Sequence, residues 1–392
     1  MKAVGTSTVD RAYTWSLFER FVAADTSVLP MQTFVPPDDA RVGLFAREVA
    51  APVLRELGAS VEIDRLHNVI ARFGPPSGQE LVLVSYQVTH HANRMHDPLR
   101  GRNEDGWWYG RGASQGKAGL AAACAALRAM LDGGRDLAGR VVLAVCSEGS
   151  STHESSRVLY ECLGPRPAAA VLTIGTENRL LLGNRGRVDV YVDLFGRATH
   201  SSVPELGDNP IPRVAEVVSR LDRVPIDATP HPQLGARHLV PYSVVCEPVA
   251  PHTIPERCRI KLDRRLLPGD SPEAAVHDVA EALAGVRAEV TMGPLMLPAI
   301  TADDHPLVVR LREAAESATG RSLAPEYPAW TFDAGYPSSL GIPTLMFGPS
   351  YAGSTADDVL DDDRVLESMV LEAGNVYAAF ATAFLRTGAS PR

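Results

Sequence analysis

The sequence has 392 residues, of which 45% are hydrophobic and 22% charged, and its formal net charge at pH 7 is −9. This length predicts two domains, and this composition is typical of a globular protein rather than a disordered chain. The acidic charge argues against nucleic acid and against a membrane surface as partners, and no apolar run looks long enough to cross a bilayer.

The cysteines and the first residues of the chain indicate the cellular compartment of the protein. The cysteines lie at positions 124, 146, 162, 246 and 258, an odd number without Cys-x-x-Cys spacing. Such a pattern is typical of reduced thiols, and the polar residues 1–11 do not resemble a signal peptide. We therefore expect a cytoplasmic protein without disulfide bonds.

Up to residue 186 the pattern predicts the strand–helix alternation of an α/β sheet. Helical periodicity covers residues 13–24, 40–57 and 119–131. Strands are predicted as a pair within 61–73 and as buried apolar runs at 81–84, 141–146 and 168–174. His153-Glu154 predicts the start of a further helix on the surface.

From residue 187 the pattern changes to the alternation of half-buried antiparallel strands, as in Val188–Phe195. The elements predicted here are strands at 188–195, near 239–248, 257–263 and 287–292, and helices at 211–221 and 272–283. Beyond Pro298 the first pattern returns, with helices at 306–318 and 365–386 and a strand at 344–347. The predicted domains are therefore 1–186 with 297–392, and an inserted domain at 187–296.

Four stretches carry a family resemblance. The first is glycine-rich, and glycine allows tight turns and close approach of the backbone. They read Gly110-Arg-Gly-Ala-Ser-Gln-Gly-Lys-Ala-Gly-Leu120, Gly196-Arg-Ala-Thr-His-Ser-Ser-Val-Pro-Glu-Leu-Gly-Asp-Asn209, Asp263-Arg-Arg-Leu-Leu-Pro-Gly269 and Gly341-Ile-Pro-Thr-Leu-Met-Phe-Gly-Pro349. With them the chain closely resembles the dinuclear zinc peptidases and amidohydrolases that include acetylornithine deacetylase, succinyl-diaminopimelate desuccinylase, aminoacylase and carboxypeptidase G.

The resemblance implies a fold and a partner. The fold is an α/β, three-layer, zinc-peptidase-like catalytic domain that is interrupted by an α+β lid or dimerisation domain. The implied partners are a small-molecule substrate and a second copy of the chain, bound through the lid as a homodimer.

The positions that hold zinc ligands in that family carry other residues here. The His-x-Asp pair at the end of the strand falls on Ser85 and Gln87 or on Tyr86 and Val88, depending on the register. The ligands that follow fall on Gln115, which replaces the bridging aspartate, and on Gly149, Ile174 and Ser354. None of these side chains is a good zinc ligand, so we expect neither a metal nor another cofactor. His90 and His91, slightly further along, stay open as relocated ligands.

The resemblance also assigns roles to residues that are retained. Glu148 occupies the position of the general base, and His200 that of the lid histidine which polarises the substrate carbonyl across a dimer. Arg265 matches an arginine that binds a substrate carboxylate, and Asn209 lines the same pocket. Gln115, Tyr86, Ser354 and Asp333 complete the predicted substrate pocket.

Each role has a structural alternative. Glu148 could pair with a local cation, Lys117 or Arg157. Arg265 could pair with Asp263, and Asn209 could serve a turn.

The sequence therefore predicts a metal-independent enzyme that acts on an amide or acyl bond of a small carboxylate-bearing, amino-acid-derived substrate. Hydrolysis, acyl transfer and cyclisation all remain open, and a role in specialised biosynthesis suits such chemistry. A conventional zinc-dependent deacylase with relocated ligands is one alternative. A non-catalytic, ligand-binding protein is the other.

Overall fold

The computed structural model describes residues 8–29, 32, 34–36, 38–92, 94–133, 138–149, 152–164, 167–351 and 362–386. Across this part of the chain the structure divides into two compact units. The first unit comprises Met1–Gly183, Ala299–Tyr327 and Asp333–Arg392, and the inserted unit comprises Asn184–Pro298 and Pro328–Phe332.

The elements follow the predicted alternation closely. The α-helices are α1 (Arg11–Val22), α2 (Ala40–Leu44), α3 (Ala51–Glu56), α4 (Lys117–Asp132), α5 (Glu154–Cys162), α6 (Ile211–Arg220), α7 (Pro272–Ala282), α8 (Pro306–Thr319), α9 (Gly335–Ser339) and α10 (Glu367–Arg386). The strands up to the insertion are β1 (Ser60–Ile63), β2 (Val69–Phe73), β3 (Glu80–Tyr86), β4 (Arg102–Glu104), β5 (Trp107–Tyr109), β6 (Arg140–Cys146), β7 (Ala169–Leu172), β8 (Leu180–Leu181) and β9 (Gly183–Asn184). The later strands are β10 (Gly186–Phe195), β11 (Thr199–His200), β12 (Leu239–Glu247), β13 (Thr253–Ile254), β14 (Arg257–Leu266), β15 (Ala288–Met296), β16 (Ala299–Ile300), β17 (Pro325–Glu326), β18 (Thr344–Met346) and β19 (Arg364–Leu366).

The first unit is built on a mixed sheet with strand order β1-β2-β6-β3-β7-β18-β8-β17. Its centre is parallel: β3 pairs with β6 and β7, and β7 pairs with β18. These strands are apolar on both faces because helices cover the sheet, and α4 packs between α1 and α10. The carboxyl ends of the parallel strands meet at one edge, where α/β sheets place ligand chemistry.

Two helices differ from their predicted form for local reasons. The helix predicted over 40–57 contains a π-helical segment, Phe45–Ala50, which ends two residues before Pro52. Proline has no N–H and its ring clashes with the preceding turn, so a widened turn accommodates it. The helix predicted from residue 365 begins at Glu367, because Arg364–Leu366 pair with β5 as an antiparallel strand.

Helix α10 corrects the expectation that no segment could cross a bilayer. By length and composition alone it is long and apolar enough to do so. However, 61% of its most apolar window is buried inside the structure, where the helix packs against α4 and α8. Its apolar character is therefore that of a core helix.

The inserted unit has an antiparallel sheet with strand order β12-β14-β10-β15, and α7 packs against this sheet. Strand β14 alternates strictly between buried and partly exposed residues, as expected for a sheet with one covered face. Its buried side chains join those of β10 in a separate hydrophobic core. Strand β12 lies at the edge of this sheet, and much of it is exposed.

The prediction of five reduced thiols is wrong for Cys246 and Cys258, which form a disulfide bond. The two residues lie directly opposite each other on β12 and β14, with their Cα atoms 4.1 Å apart. This pairing follows from the strand register, which the cysteine spacing alone did not indicate. Cys124 and Cys146 are buried free thiols, and Cys162 is a partly exposed one.

Candidate active site

A buried carboxylate, Asp363, organises the glycine-rich stretch. It accepts hydrogen bonds from the backbone N–H groups of Gly112 and Ser114, each at 2.7 Å. The Arg111 guanidinium lies 3.4 Å from the same carboxylate, and both side chains are fully buried. The role of Asp363 was not predicted from the sequence, since nothing in its local pattern separates it from the acidic residues beside it.

Gln115 is tied to the same carboxylate. Its amide Nε2 donates to Asp363 at 3.2 Å, and its Oε1 accepts from the backbone N–H of His90 at 2.7 Å. The position therefore uses both a donor and an acceptor, which a neutral amide provides and an ionised aspartate does not.

Tyr86 and Gly149 fit each other as a large and a small residue. The Tyr86 ring is buried at the carboxyl end of β3. A Cβ atom built on Gly149 would lie only 2.7 Å from the Cδ2 atom and 2.9 Å from the Cγ atom of that ring. The phenol ring therefore occupies space that any side chain at position 149 would need.

Glu148 is buried and holds the turn that leads into α5. One carboxylate oxygen accepts from the backbone N–H of Thr152 at 2.8 Å and from the Thr152 hydroxyl. The other accepts from the backbone N–H of Ser155 at 2.9 Å. Its role as general base stays a prediction.

The cations considered as partners of Glu148 have partners elsewhere. The Lys117 ammonium donates to the carbonyl oxygen of Ala24 at 2.7 Å, and Arg157 pairs with Glu161 at 2.7 Å. Lys117 is fully buried, and burial lowers its pKa to about 7 although Asp25 acts in the opposite direction.

Asp333, predicted to line the pocket, lies beside Tyr86 and His153. Its Oδ1 atom is 3.5 Å from the His153 Nδ1 atom, and the two side chains are only 4% and 9% exposed. Burial and then the neighbouring Asp333 carboxylate raise the pKa of the Tyr86 phenol well above its usual value. The Tyr336 ring covers the imidazole with a centroid distance of 5.9 Å.

His153 was predicted to lie at the start of a surface helix. Helix α5 begins at Glu154, as predicted, but His153 is not on the surface, and Val158, Leu159 and Tyr160 of this helix are buried. The signal that could have found it is its position five residues after Glu148, which follows a buried strand at the functional edge of the sheet.

The predicted site residues of the inserted unit have local contacts. The exposed His200 imidazole has its Nδ1 atom 2.8 Å from the Ser202 hydroxyl oxygen, and its ring lies 6.1 Å from that of His252. The Asn209 Oδ1 atom accepts from the backbone N–H of Ile211 at 3.0 Å, at the start of α6. Their predicted roles in substrate binding and catalysis stay predictions.

Arg265 forms a two-point ion pair with Asp263. Its Nε and Nη2 atoms lie 2.8 and 2.9 Å from the two carboxylate oxygens. Its Nη1 atom donates to the Thr331 hydroxyl at 2.7 Å. These contacts are the ones expected if Arg265 has a structural role as the partner of Asp263. Its binding of a substrate carboxylate stays a prediction. Ser354, the last predicted pocket residue, lies outside the described residues.

The chain is similar to proteins of known families along most of its length. Residues 87–383 match the model of peptidase family M20/M25/M40. A succinyl-diaminopimelate desuccinylase of Rhodospirillum centenum is 30% identical over 313 residues, which cover 76% of this chain and 78% of that protein. The uncharacterised protein YgeY of Escherichia coli K12 is 26% identical over 353 residues, or 83% of this chain and 86% of YgeY.

Solved structures show the same fold. An M20 family metallo-carboxypeptidase, Sso-CP2 from Sulfolobus solfataricus, superposes with a TM-score of 0.77 at 17% identity and covers 96% of this chain and all of its own. Human carnosine dipeptidase 1 superposes with a TM-score of 0.74 at 16% identity, over 96% of this chain and 97% of its own. The predicted α/β zinc-peptidase-like fold with its inserted α+β unit is confirmed. The fold is one of peptidases and amidohydrolases that act on amide bonds. Because the family model matches most of the sequence, the chain belongs to peptidase family M20/M25/M40.

Proposed function

We propose that this chain acts on an amide or acyl bond of a small carboxylate-bearing, amino-acid-derived substrate, and that it does so without a pair of zinc ions. The desuccinylase relative supports the substrate class, because its name describes removal of an acyl group from an amino-acid derivative. Hydrolysis, acyl transfer and cyclisation remain the candidate reactions, and a biosynthetic role remains an expectation.

The observation that carries the metal-free part is the bonding of Gln115. In the related zinc enzymes this position is a bridging aspartate, whereas here the amide donates to the buried Asp363 carboxylate. An ionised aspartate at position 115 would face that carboxylate with no proton to share. The surroundings of Gln115 therefore suit a neutral amide, which is a poor ligand for two divalent cations.

Tyr86 and Gly149 give independent support. Both stand at positions that hold zinc ligands in the related enzymes when the strand is read with Tyr86 in the histidine position. The Tyr86 ring fills the space that a carboxylate side chain at position 149 would need. Within the described residues no group of three or more His, Cys, Asp or Glu side chains could hold a metal ion. The described residues at these positions, Gln115, Tyr86 and Gly149, do not fit the zinc pair.

Metal content and turnover test this proposal together. The protein is purified from cells supplied with zinc, and zinc per chain is measured by elemental mass spectrometry. Turnover of a panel of N-acyl amino acids, dipeptides and their amides is measured with and without a chelator, and with an amine nucleophile. We expect far less than one zinc per chain, and turnover that the chelator does not change.

Each alternative has its own outcome. About two zinc ions per chain, with turnover lost in chelator, would establish a conventional zinc enzyme with relocated ligands. Binding of a panel compound without any turnover would instead establish a ligand-binding protein.

We also propose that the chain is a homodimer formed through the inserted unit. Val240 and Val244 on the edge strand β12 are 48% and 49% exposed. A long apolar edge strand is a site for pairing with another chain unless it is covered. A second copy would cover this edge and continue the sheet.

Light scattering coupled to gel filtration should give twice the 42.0 kDa of one chain. Val244→Lys should shift the protein towards the monomer, because it places a charge on the apolar edge. Val309→Lys is the matched control, since Val309 is similarly exposed on α8 of the first unit, and it should leave the mass unchanged. A wild-type mass of one chain would refute the dimer.

A further inference from the structure

We propose that His153 is the proton-transfer residue of this enzyme, that Asp333 orients it, and that Tyr86 donates a hydrogen bond to the substrate carbonyl oxygen. The assignment rests on the proposed function, because it names the groups that would perform the same amide or acyl chemistry. It replaces Glu148 as the base.

The three side chains meet where an α/β sheet places its chemistry. Tyr86 ends β3 and pairs in register with Cys146, the last residue of β6. His153 directly precedes α5, and Asp333 lies just before α9, a helix that contacts α5. All of these elements belong to the first unit, so the cluster needs no residue from the inserted unit.

The contact between His153 and Asp333 is the kind that prepares an imidazole for proton transfer. A carboxylate beside one ring nitrogen selects the tautomer, orients the ring and stabilises the imidazolium that forms. The Nδ1 to Oδ1 distance is 3.5 Å, and such contacts are often long before substrate binds.

Glu148 is bonded differently. Its two oxygens accept hydrogen bonds from Thr152 and Ser155, the residues on either side of His153 and Glu154. A general base must reach the proton that it removes, and the Glu148 oxygens are directed to this turn. We infer that Glu148 is a positioning residue that fixes the turn carrying His153.

Tyr86 is suited to donate rather than to accept. An ordinary phenol keeps its proton at neutral pH, and burial and then the Asp333 carboxylate raise the pKa of Tyr86 further, so the hydroxyl remains a hydrogen-bond donor. Its ring is held by close packing against Gly149, where a side chain would have no room, and its backbone lies against Gly116 in the same way. A rigid donor in a site of low polarity stabilises a developing oxyanion more than a mobile one does.

The reaction balances with these groups alone. His153 takes the proton from the attacking water or amine while a lone pair of this nucleophile forms the bond to the carbonyl carbon. The carbonyl electron pair moves to the oxygen, which accepts the hydrogen bond from Tyr86. When the electron pair on this oxygen forms the carbonyl double bond again, the bond to the leaving nitrogen or oxygen breaks. The His153 imidazolium then gives its proton to the leaving group.

The test compares kcat and KM of the wild type and six variants on a substrate that the wild type turns over. His153→Gln should lower kcat by about 10²–10⁴-fold, the usual contribution of a general base. Tyr86→Phe should lower kcat by about 10²–10³-fold and leave KM nearly unchanged, because it removes only the hydroxyl and keeps the packed ring.

Asp333→Asn should also act on kcat rather than on KM. Glu148→Gln should lower kcat less than His153→Gln does. It should lower the free energy of unfolding more, because it disturbs the hydrogen bonds of the turn. The matched control is His277→Gln, since His277 is 70% exposed on α7, and it should behave as wild type.

Folding is checked for each variant by circular dichroism, and added imidazole should restore part of the activity of His153→Ala, which a merely structural histidine would not allow. Wild-type turnover with His153→Gln and Tyr86→Phe each within threefold of it would overturn this assignment and leave the proposed function intact. A rate loss confined to Glu148→Gln would return the base to Glu148. No turnover by the wild type would overturn the proposed function and this assignment together.

Discussion

Replacing Asp363 with alanine should lower the free energy of unfolding by about 3–5 kcal/mol, because it removes the carboxylate from a buried ion pair. This carboxylate also accepts the backbone N–H groups of Gly112 and Ser114. The variant would leave the fully buried Arg111 guanidinium without this counter-charge. Urea unfolding at neutral pH, followed by circular dichroism, measures the loss.

The neighbouring Asp362 provides the matched control. Its carboxylate lies 3.4 Å from Arg102, but its side chain is 40% exposed. Exposed ion pairs contribute about 0–1 kcal/mol, so Asp362→Ala should fall in that range. Equal losses for the two alanine variants would show that Asp363 does not organise the glycine-rich stretch.

Replacing Gly119 with alanine should cost about 3 kcal/mol of stability, because overpacking against rigid atoms cannot be relieved by a rotamer change. The added Cβ atom would lie 1.9 Å from the carbonyl oxygen of Thr173. Gly119 is in the first turn of α4, and Thr173 directly follows β7, so either the helix or the strand end would have to move. The same urea experiment measures the effect.

A second helical glycine separates this collision from the general effect of glycine-to-alanine changes. At Gly374 in α10 the nearest atoms to a new Cβ are the Val9 Cγ1 atom at 3.0 Å and the carbonyl oxygen of Ala122 at 3.2 Å, so alanine needs much smaller shifts here than at Gly119. Alanine is favoured over glycine in helices by about 1 kcal/mol, which would offset this mild crowding. Gly374→Ala should therefore be close to neutral, and a loss as large as that of Gly119→Ala would refute the steric explanation.

The fold was predictable because its signals are local. The apolar runs that became β3 and β6 are continuous in sequence, and the alternation in β14 is visible residue by residue. Such patterns report burial on one or both faces of a strand without any knowledge of the neighbouring strands. Boundaries failed where a distant partner decides them, as at Arg364–Leu366, which pair with Trp107–Tyr109.

The candidate site was predictable only as a set of positions. Gln115 and Glu148 were found because they stand in recognisable motifs, but their bonding depends on residues far along the chain or on the shape of a turn. Asp363 is 248 residues from Gln115, and no local pattern connects them. Asp333 and His153 likewise meet through the packing of α5 and α9. A motif therefore transfers the identity of a residue, whereas its chemistry depends on contacts that only the structure supplies.

The inserted unit is discontinuous in sequence, since the short segment Pro328–Phe332 belongs to it together with Asn184–Pro298. Arg265 is bonded to this segment through the Thr331 hydroxyl, although 66 residues separate the two. A chimera that exchanged only residues 184–298 between two relatives would combine the arginine of one parent with position 331 of the other. For recombination, natural or engineered, positions 265 and 331 are thus one module, and epistasis between them is expected across the family.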